Sequence, residues 1–375
     1  MSVFAPIPLG QCIPANRPHA VSCSLPTMRA VIGYEEKDPA VLGKIMSGYP
    51  RFVVHPFARQ LSQLVVRKHG LNGTTLWLTS SAGMAGELAR RLRSPEVLPF
   101  AADWLHGVIH PTDARELAAR AKLFLQNVGG FLSSREAEDH LVRIGTLAGA
   151  VPEAYFGGDA AAEVKRQLRP AFPSVADSDF FLASNGMNAV YAAFRALSEE
   201  QAAQGRTIWV QLGWLYLDTI SILKKFTSAP NDYVYMRDVF DRAGLERLFA
   251  ENGPRIAGII TEVPTNPLMQ TPDVPWLADL ARRHGAALIM DPSLVSAFNV
   301  NLLPHADVVT TSLTKYTASE GDVIAGLAVV NASSPHAAAL RKKLPRLLEP
   351  VYPRDLARLA AQIGQTQDVL RQIQA

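Results

Sequence analysis

The chain has 375 residues, of which 48% are hydrophobic and 19% are charged. This length predicts two or three domains, and the composition is sufficient for large buried cores. The formal net charge is only +3, and the basic residues are spread along the chain. The sequence therefore gives no electrostatic reason to expect nucleic acid or an anionic membrane as a partner.

The N-terminal segment carries both cysteines, Cys12 and Cys23. Because no Cys-x-x-Cys motif is present, the sequence argues against a disulfide framework and against a cysteine zinc site. The first residues lack the basic and apolar stretches of a signal peptide, and no apolar run approaches the length of a membrane span. We therefore expect a soluble, cytoplasmic protein.

The first 160 residues predict an arm followed by an α/β region. Residues 1–30 are rich in Pro, Ser and Asn and predict an extended arm. Apolar residues at three- and four-residue spacing predict a helix within 52–70, and further pieces follow. These are a strand at 76–78, a helix after Ser81, alternating strand-like and helical pieces over 98–130, a helix at 134–148 and a boundary at Gly157 and Gly158.

From residue 160 onward, short apolar strands alternate with helices. The predicted strands are 180–182, 207–212, 256–261, 286–290, 308–311 and 325–330, and the predicted helices are 160–168, 189–197, 219–226, 276–284 and 354–375. This alternation predicts a parallel or mixed sheet with helices on both faces. Active sites of such sheets lie at the carboxyl ends of the strands.

The most informative motif is Ser-x-Thr-Lys, formed by Ser312, Thr314 and Lys315, downstream of Asp291 at the end of an apolar strand. A lysine amine can form a Schiff base with the aldehyde of pyridoxal phosphate (PLP), and an aspartate can pair with its protonated pyridine nitrogen. Hydroxyl groups can bind its phosphate. Taken alone, the motif would favour an ordinary surface lysine, so its neighbours decide the interpretation.

Three further motifs lie between strands and helices upstream of Lys315. Gly186 and Met187 begin a helix, where unpaired backbone N–H groups can bind a phosphate. Tyr216 can stack on a flat ring, and Asn266 lies in a turn between two prolines. Each motif has an ordinary structural explanation: a glycine turn, a half-buried tyrosine and a plain loop.

The order of these motifs resembles the Cys/Met-metabolism family of PLP-dependent enzymes, which have the aspartate aminotransferase-like fold (fold type I). The family pattern is Ser-Gly-Met, Tyr-Gly-Gly-Thr, Glu-x-Pro-Ser/Thr-Asn-Pro, Asp-Asn-Thr and Ser-x-Thr-Lys. The resemblance covers roughly 165–330. The N-terminal half is similar to the extra region of fungal-type cystathionine γ-synthases, in the segments 33–35, 48–52 and 133–138.

This resemblance implies a role for each matching residue. Lys315 would be the Schiff-base lysine and proton shuttle, with Tyr216 as a stacking residue and acid–base partner. Asp291 would pair with the pyridinium and Asn266 would lie near the 3-oxygen of the cofactor. The phosphate would be held by Gly186, Met187, Ser312 and Thr314.

The family also uses a Tyr-x-Arg motif from the neighbouring subunit to hold the phosphate. Tyr49 and Arg51 have that form but lie far upstream, whereas Arg135 is closer in spacing but lacks the tyrosine. Both remain candidates, with a slight preference for Arg135. The resemblance thus implies a homodimer or homotetramer.

The chain departs from the family pattern at several places. Tyr216-Leu217-Asp218-Thr219 replaces Tyr-Gly-Gly-Thr, and Asp291-Pro292-Ser293 replaces Asp-Asn-Thr. About 60 residues follow Lys315, so we expect a truncated C-terminal domain without the arginine that clamps the substrate carboxylate. The predicted domains are 1–160 (arm and α/β region), 161–345 (PLP-binding domain) and 346–375 (start of the truncated domain).

The resemblance implies γ-replacement, in which cysteine displaces the acyl group of an O-acylhomoserine to give cystathionine for methionine biosynthesis. The alternatives within the class are an O-acylhomoserine sulfhydrylase and a cystathionine or methionine γ-lyase. An alternative of another class is a truncated, non-catalytic protein that binds PLP or a partner. His106 and His110 share the spacing of metal ligands, but without a third ligand motif we predict no metal site.

Overall fold

A computed structural model describes residues 6–46 and 54–374. The strands are β1 (Cys12–Ile13), β2 (Ser22–Cys23), β3 (Thr74–Thr79), β4 (Leu98–Ala102), β5 (Leu105–Pro111), β6 (Phe180–Ala183), β7 (Ile208–Leu212), β8 (Tyr233–Met236), β9 (Ile256–Glu262), β10 (Ala287–Asp291), β11 (Val308–Ser312) and β12 (Gly326–Val330). The helices are α1 (Met28–Glu35), α2 (Pro39–Leu42), α3 (Pro56–Lys68), α4 (Ala82–Leu92), α5 (Arg115–Val128), α6 (Ser134–Arg143), α7 (Ala160–Leu168), α8 (Gly186–Ala202), α9 (Leu217–Phe226), α10 (Arg242–Asn252), α11 (Val274–His284), α12 (Ala337–Leu347), α13 (Pro353–Gln362) and α14 (Thr366–Gln374).

The chain divides into two compact units that do not follow the sequence linearly. Unit 1 comprises Met1–Phe156, Ala318–Ile324 and Tyr352–Gln362, and unit 2 comprises Gly157–Thr317, Ala325–Val351 and Ile363–Ala375. The first change of unit lies close to the boundary predicted near 160. The predicted domains 161–345 and 346–375 remain a prediction, because both contain segments that return to unit 1.

Unit 2 is built on a mixed sheet of seven described strands in the order β6-β12-β11-β10-β9-β7-β8. The five strands β11, β10, β9, β7 and β8 are parallel, whereas β12 runs antiparallel to both β11 and β6. Every residue of β7 and β9 is buried, as expected for central strands covered on both faces. The predicted α/β fold is therefore confirmed.

The core of unit 2 packs the long helix α8 against the centre of this sheet. The Phe194 ring of α8 lies 4.9 Å from the Trp209 ring of β7, measured between centroids. Gly258 of β9 makes room for the indole, because an added Cβ would lie 2.7 Å from both the Trp209 ring and the Ala287 carbonyl oxygen. The missing side chain at Gly258 thus sets how closely β9 and the indole approach.

Unit 1 contains a three-stranded antiparallel sheet in the order β3-β5-β4. Its core cluster includes Leu61 of α3, Leu76 and Leu78 of β3 and Leu141 of α6. The N-terminal arm adds the short antiparallel hairpin β1–β2. The described part of the arm predicted at 1–30 is therefore not simply extended, because it contains these paired strands and the first residues of α1.

The predicted helix at 354–375 is wrong as a single element. It divides into α13 and α14 around a short 3-10 turn at Ile363–Gln365. Gly364 in this turn is a poor helix former, and the Thr366 hydroxyl donates to the Ile363 carbonyl at 2.7 Å. The two halves consequently belong to different units.

Two functional classes receive no support from the described part of the chain. Among residues 6–46 and 54–374, no helix is long and apolar enough to cross a membrane. In the same ranges, no group of three or more His, Cys, Asp or Glu residues could hold a metal ion.

We expect Gly258→Ala to lower the free energy of unfolding by about 1–3 kcal/mol, because the new methyl group overpacks the sheet. Urea denaturation measures this loss. The double variant Gly258→Ala/Trp209→Phe should recover part of this loss, because the smaller phenyl ring leaves room for the added methyl group. Gly149→Ala is the control, since nothing lies within 4 Å of its added Cβ. Additive effects of the two core substitutions would contradict this packing argument.

Candidate active site

Three strands of unit 2 end at one edge of the sheet with polar residues, and a tyrosine follows the end of a fourth. Glu262 ends β9 and Asp291 ends β10, and these two residues are direct partners in the parallel register. Ser312 ends the next strand, β11, and Tyr216 immediately precedes α9 beyond the end of β7. The structure therefore brings Asp291, Ser312 and Tyr216 to the edge that the sequence predicted.

The Asp291 carboxylate is held where its negative charge is poorly solvated. Burial raises its pKa, although hydrogen bonds from Ser293 and the positive charge of Lys315 partly offset this effect. Its Oδ1 accepts the Ser293 N–H at 2.7 Å. A cation beside Asp291 would relieve the desolvation, and a protonated pyridine nitrogen is such a cation.

Glu262 is a second buried carboxyl group beside Asp291. Burial raises its pKa, and the negative charge of Asp291 raises it further. Its Oε1 accepts the Tyr216 N–H at 2.6 Å, and the backbone N–H of Asn266 also donates to the carboxylate. One side chain thereby holds the two loops that carry Tyr216 and Asn266.

Ser293 links Asp291 to the Ser-x-Thr-Lys segment. Its hydroxyl donates to the Asp291 carboxylate and accepts the Ser312 N–H at 2.8 Å. The Thr311 hydroxyl lies 3.3 Å away from the same oxygen. The position of the carboxylate is therefore coupled to the end of β11.

Ser312 and the start of α8 form a cradle for an anion. The Ser312 hydroxyl is buried and has no hydrogen-bond partner among the described residues. A Cβ at Gly186 would lie 2.9 Å from Ser312 Cβ, so the glycine allows the helix N-terminus to approach Ser312 closely. The Asn185 side chain caps α8 by accepting the Asn188 N–H at 2.9 Å, which leaves Gly186 and Met187 at the first turn. This set fits the phosphate of PLP.

Lys315 lies in the turn after β11 and is exposed. Its charge acts on Asp291, so the amine and the carboxylate share one side of the sheet edge. Asn266, half-buried, is followed by a cis peptide bond to Pro267, and a second cis bond precedes Pro264. The structure thus collects Lys315, Asp291, Ser312 and the loops of Tyr216 and Asn266 in unit 2.

Thr314, one of the predicted phosphate ligands, has other hydrogen-bond partners in the structure. The Thr314 hydroxyl donates to the Ala325 carbonyl at 3.3 Å and accepts the Ala325 N–H at 3.1 Å, so its single proton is already used. Thr314 therefore stabilises the loop of the lysine instead of presenting a donor to the phosphate.

Arg135 is almost fully buried in unit 1 and pairs with Glu153 at 2.6 Å and Asp355 at 2.7 Å. It also donates to the Asp322 carbonyl at 2.9 Å. Burial alone would lower its pKa, but the two carboxylates outweigh burial and raise it. Binding a phosphate would require breaking these ion pairs, and the phosphate role of Arg135 stays a prediction. Tyr49 and Arg51 lie outside the described residues.

Comparison with known proteins agrees with this geometry. The sequence profile of the "Cys/Met metabolism PLP-dependent enzyme" family matches residues 175–364, a range that includes Gly186, Asp291 and Lys315. The chain belongs to this family. The predicted family, PLP-dependent fold, cofactor and enzyme class are therefore confirmed.

Individual relatives of this PLP-dependent enzyme differ in their chemistry. The L-2-amino-4-chloropent-4-enoate dechlorinase/desaturase of Streptantibioticus cattleyicolor is 40% identical over 95% of this chain and 71% of that protein. A cystathionine gamma-synthase of Neurospora crassa is 26% identical over 94% of this chain and 76% of that protein. The solved cystathionine gamma synthase of Xanthomonas oryzae pv. oryzae, in complex with aminoacrylate and cysteine, is 19% identical with a TM-score of 0.45. That match covers 56% of this chain and about half, 52%, of the solved chain.

Two residues of the site were not predicted as such from the sequence. Glu262 was not among the predicted site residues, and Ser293 was named only as a departure from the family pattern. The signal for Ser293 was available, because a serine two residues after an aspartate often closes a local hydrogen-bonded turn. The partnership of Glu262 with Asp291 depends on the register of β9 and β10, which sequence alone does not reveal.

Ser312→Ala should weaken PLP binding about 10- to 100-fold, the worth of a hydrogen bond to a charged group. The same change should not destabilise the cofactor-free protein, because the lost hydroxyl has no partner there. Fluorescence titration with PLP and urea denaturation measure the two effects. Thr310→Val is the matched control: its hydroxyl is also buried without a described partner, but the residue lies deeper in β11 and is fully buried. Equal losses of PLP affinity in both variants would contradict the assignment.

Glu262→Gln should change how the stability of the cofactor-free protein depends on pH. A carboxyl group whose pKa is raised on folding stabilises the protein below its ordinary pKa of 4.5 and loses that contribution as pH rises. The variant should therefore gain stability relative to the wild type as pH increases from 4.5 towards neutrality. Urea denaturation at several pH values measures the difference, with the exposed Glu246→Gln as control. A difference that stays constant with pH would overturn the claim.

Proposed function

We propose that this protein removes a leaving group from the γ carbon of an α-amino acid with the help of PLP. The observation that carries this proposal is the cluster of Asp291, Lys315 and Ser312 at one sheet edge, with Gly186 beside Ser312. These groups match the three parts of the cofactor: ring nitrogen, aldehyde and phosphate. The family membership supplies the cofactor, and the relatives suggest the position of the bond that breaks.

When bound, PLP supplies an electron sink that lets protons leave carbon atoms near the amino group of a substrate. Asp291 would hold the positive charge of the ring nitrogen. Ser312 and the N–H groups of Gly186 and Met187 would hold the phosphate. The Lys315 amine would carry protons from Cα and towards the carbon that accepts them.

Tyr216 would add a second functional group to this arrangement. Its backbone N–H is held by Glu262, which fixes the loop that precedes α9. Its ring would lie against the cofactor, and its phenol would move protons at the carbon from which the group leaves. Asn266, held by the same glutamate, would orient the cofactor from the neighbouring loop.

The choice of a γ leaving group rests on the name of the S. cattleyicolor relative. In 2-amino-4-chloropent-4-enoate the chlorine is attached to C4, which is the γ carbon, and dechlorination with desaturation removes hydrogen chloride. The first half of γ-replacement in cystathionine synthesis also removes a group from this carbon. Elimination from the γ carbon is therefore the chemistry that both kinds of relative share, and we propose it for this chain.

Replacement by a thiol is the second candidate, favoured by the cystathionine gamma-synthase of N. crassa. In this version cysteine would add after an acyl group leaves an O-acylhomoserine. The sulfhydrylase and γ-lyase activities, the place in methionine biosynthesis and the homodimer or homotetramer remain proposals from the resemblance.

The first test is covalent capture of the cofactor. Purified protein incubated with PLP should absorb visible light, and borohydride should fix the cofactor on the peptide that contains Lys315, as detected by mass spectrometry. Lys315→Ala should abolish the fixed adduct and lower turnover by several orders of magnitude, because the proton carrier is lost. Lys342→Ala, an exposed lysine of α12, is the control. Labelling of another lysine would refute the assignment.

The second test compares substrates. Protein with PLP is incubated with 2-amino-4-chloropent-4-enoate, O-acetylhomoserine or O-succinylhomoserine, each with and without cysteine, and products are identified by mass spectrometry. Chloride or carboxylate release without cysteine supports elimination, whereas a cysteine-dependent thioether supports replacement. Capture on Lys315 without release from any substrate would favour the non-catalytic alternative.

A further inference from the structure

The N-terminal hairpin places the two cysteines of the chain opposite each other. β1 and β2 are antiparallel, and Cys12 is the direct register partner of Cys23. Both thiols are free and half-buried. Residues that face each other across an antiparallel pair project their side chains to the same side of the strands. The sequence argued against a disulfide framework, but it did not reveal this pairing.

The backbone geometry of this pair suits a disulfide bond. Opposite residues in antiparallel strands have Cα atoms about 4.5 or 5.5 Å apart, depending on whether the pair is hydrogen-bonded. Both values lie within the range of about 4.4 to 6.8 Å that disulfides span. The neighbouring pair is fixed by the Ser24 N–H, which donates to the Gln11 carbonyl at 2.9 Å. The Cα spacing of an opposite pair is therefore compatible with a disulfide bond.

The loop between the cysteines holds a specific segment of unit 1. The Val21 N–H donates to the Gly321 carbonyl at 2.9 Å. Arg17 pairs with Glu320 at 2.6 Å and with Asp322 at 3.2 Å. Gly321 follows Lys315 by six positions in the chain, so the hairpin is bonded to the segment that continues from the lysine turn.

We propose that Cys12 and Cys23 are a reversible redox pair whose disulfide staples the hairpin that holds residues 320–322. The oxidant is a low-molecular-weight disulfide. One cysteine thiolate attacks it and releases one small thiol, and the second cysteine attacks the mixed disulfide and releases the other. In balance, two protein thiols are oxidised to one disulfide while the small disulfide is reduced to two thiols.

The surroundings of the pair also determine its rate. Burial raises the pKa of the Cys23 thiol, and the charge of Cys12 raises it further, which agrees with closely spaced sulfur atoms. Since the thiolate is the attacking form, oxidation should be slow at neutral pH and faster at higher pH. Closing the ring between residues 12 and 23 restricts the backbone between them, including Arg17 and Val21.

The test exposes the full-length protein, loaded with PLP, to oxidised glutathione and then to dithiothreitol. We expect the two titratable thiols to disappear, peptide mapping to show an intramolecular link between Cys12 and Cys23, and dithiothreitol to restore both thiols. In the oxidised form, hydrogen exchange of the Val21 amide should slow about 10-fold or more, because opening of the hairpin is restricted. Disulfide-linked dimers, stable mixed disulfides with glutathione or persistently free thiols would overturn the proposal.

The double variant Cys12→Ser/Cys23→Ser is the control for side effects of the oxidant. It retains small polar side chains in the hairpin but cannot form the link, so its Val21 exchange should not respond to oxidised glutathione. Slower exchange in this variant under oxidation would also refute the proposal. Neither readout depends on turnover, so the result is independent of the proposed γ-elimination.

Discussion

Two buried carboxyl groups at the ends of neighbouring parallel strands are the constraint on which the site depends. Register places Glu262 of β9 beside Asp291 of β10. Burial raises the pKa of both carboxyl groups, and the negative charge of Asp291 raises the pKa of Glu262 further. A cation at this edge removes the conflict, and Lys315 and a pyridinium are both cations. The same repulsion keeps a proton on Glu262 when Asp291 is ionised, so one acid can serve the cofactor while the other holds the loops.

The part of the site that would hold the ring nitrogen of the cofactor is connected to the part that would hold its phosphate. The connection runs through a segment in which this chain departs from the family pattern. Ser293 joins the Asp291 carboxylate to the backbone of Ser312, which lies against Gly186 at the start of α8. Pro292 restricts the backbone between the aspartate and the serine. Ser293 thus positions both Asp291 and Ser312, in the segment where Asp-Pro-Ser replaces the Asp-Asn-Thr of the family. A displacement of the Asp291 carboxylate would therefore also shift Ser312, which lies at the phosphate end of the site.

The sequence predicts those features that depend on local pattern. Apolar strands followed by polar residues indicated the sheet edge, and therefore Asp291 and Ser312, while the helix start indicated Gly186. The phosphate roles of Thr314 and Arg135 stay predictions, but the sequence did not reveal the partners that these side chains have. The hydrogen bonds between Thr314 and Ala325, just before β12, depend on the tertiary fold. The ion pairs of Arg135 join residues that are distant in sequence, Glu153 and Asp355. The strand β8 and helix α10 were missed because neither shows a long periodic apolar pattern.

The residues that would hold the cofactor contact the cofactor itself, which is the same for every substrate, so they do not distinguish one leaving group from another. The choice among substrates must therefore depend on neighbouring residues, in the loops that carry Tyr216 and Asn266. These loops expose large apolar side chains next to both residues, namely Trp214, Leu217, Leu268 and Met269. Contact between these apolar side chains and a hydrocarbon group stabilises the complex, whereas contact that removes a charge from water destabilises it. We therefore expect an uncharged substrate side chain, such as a chloropentenoate or an acetyl ester, to suit this edge better than a succinyl ester with its free carboxylate.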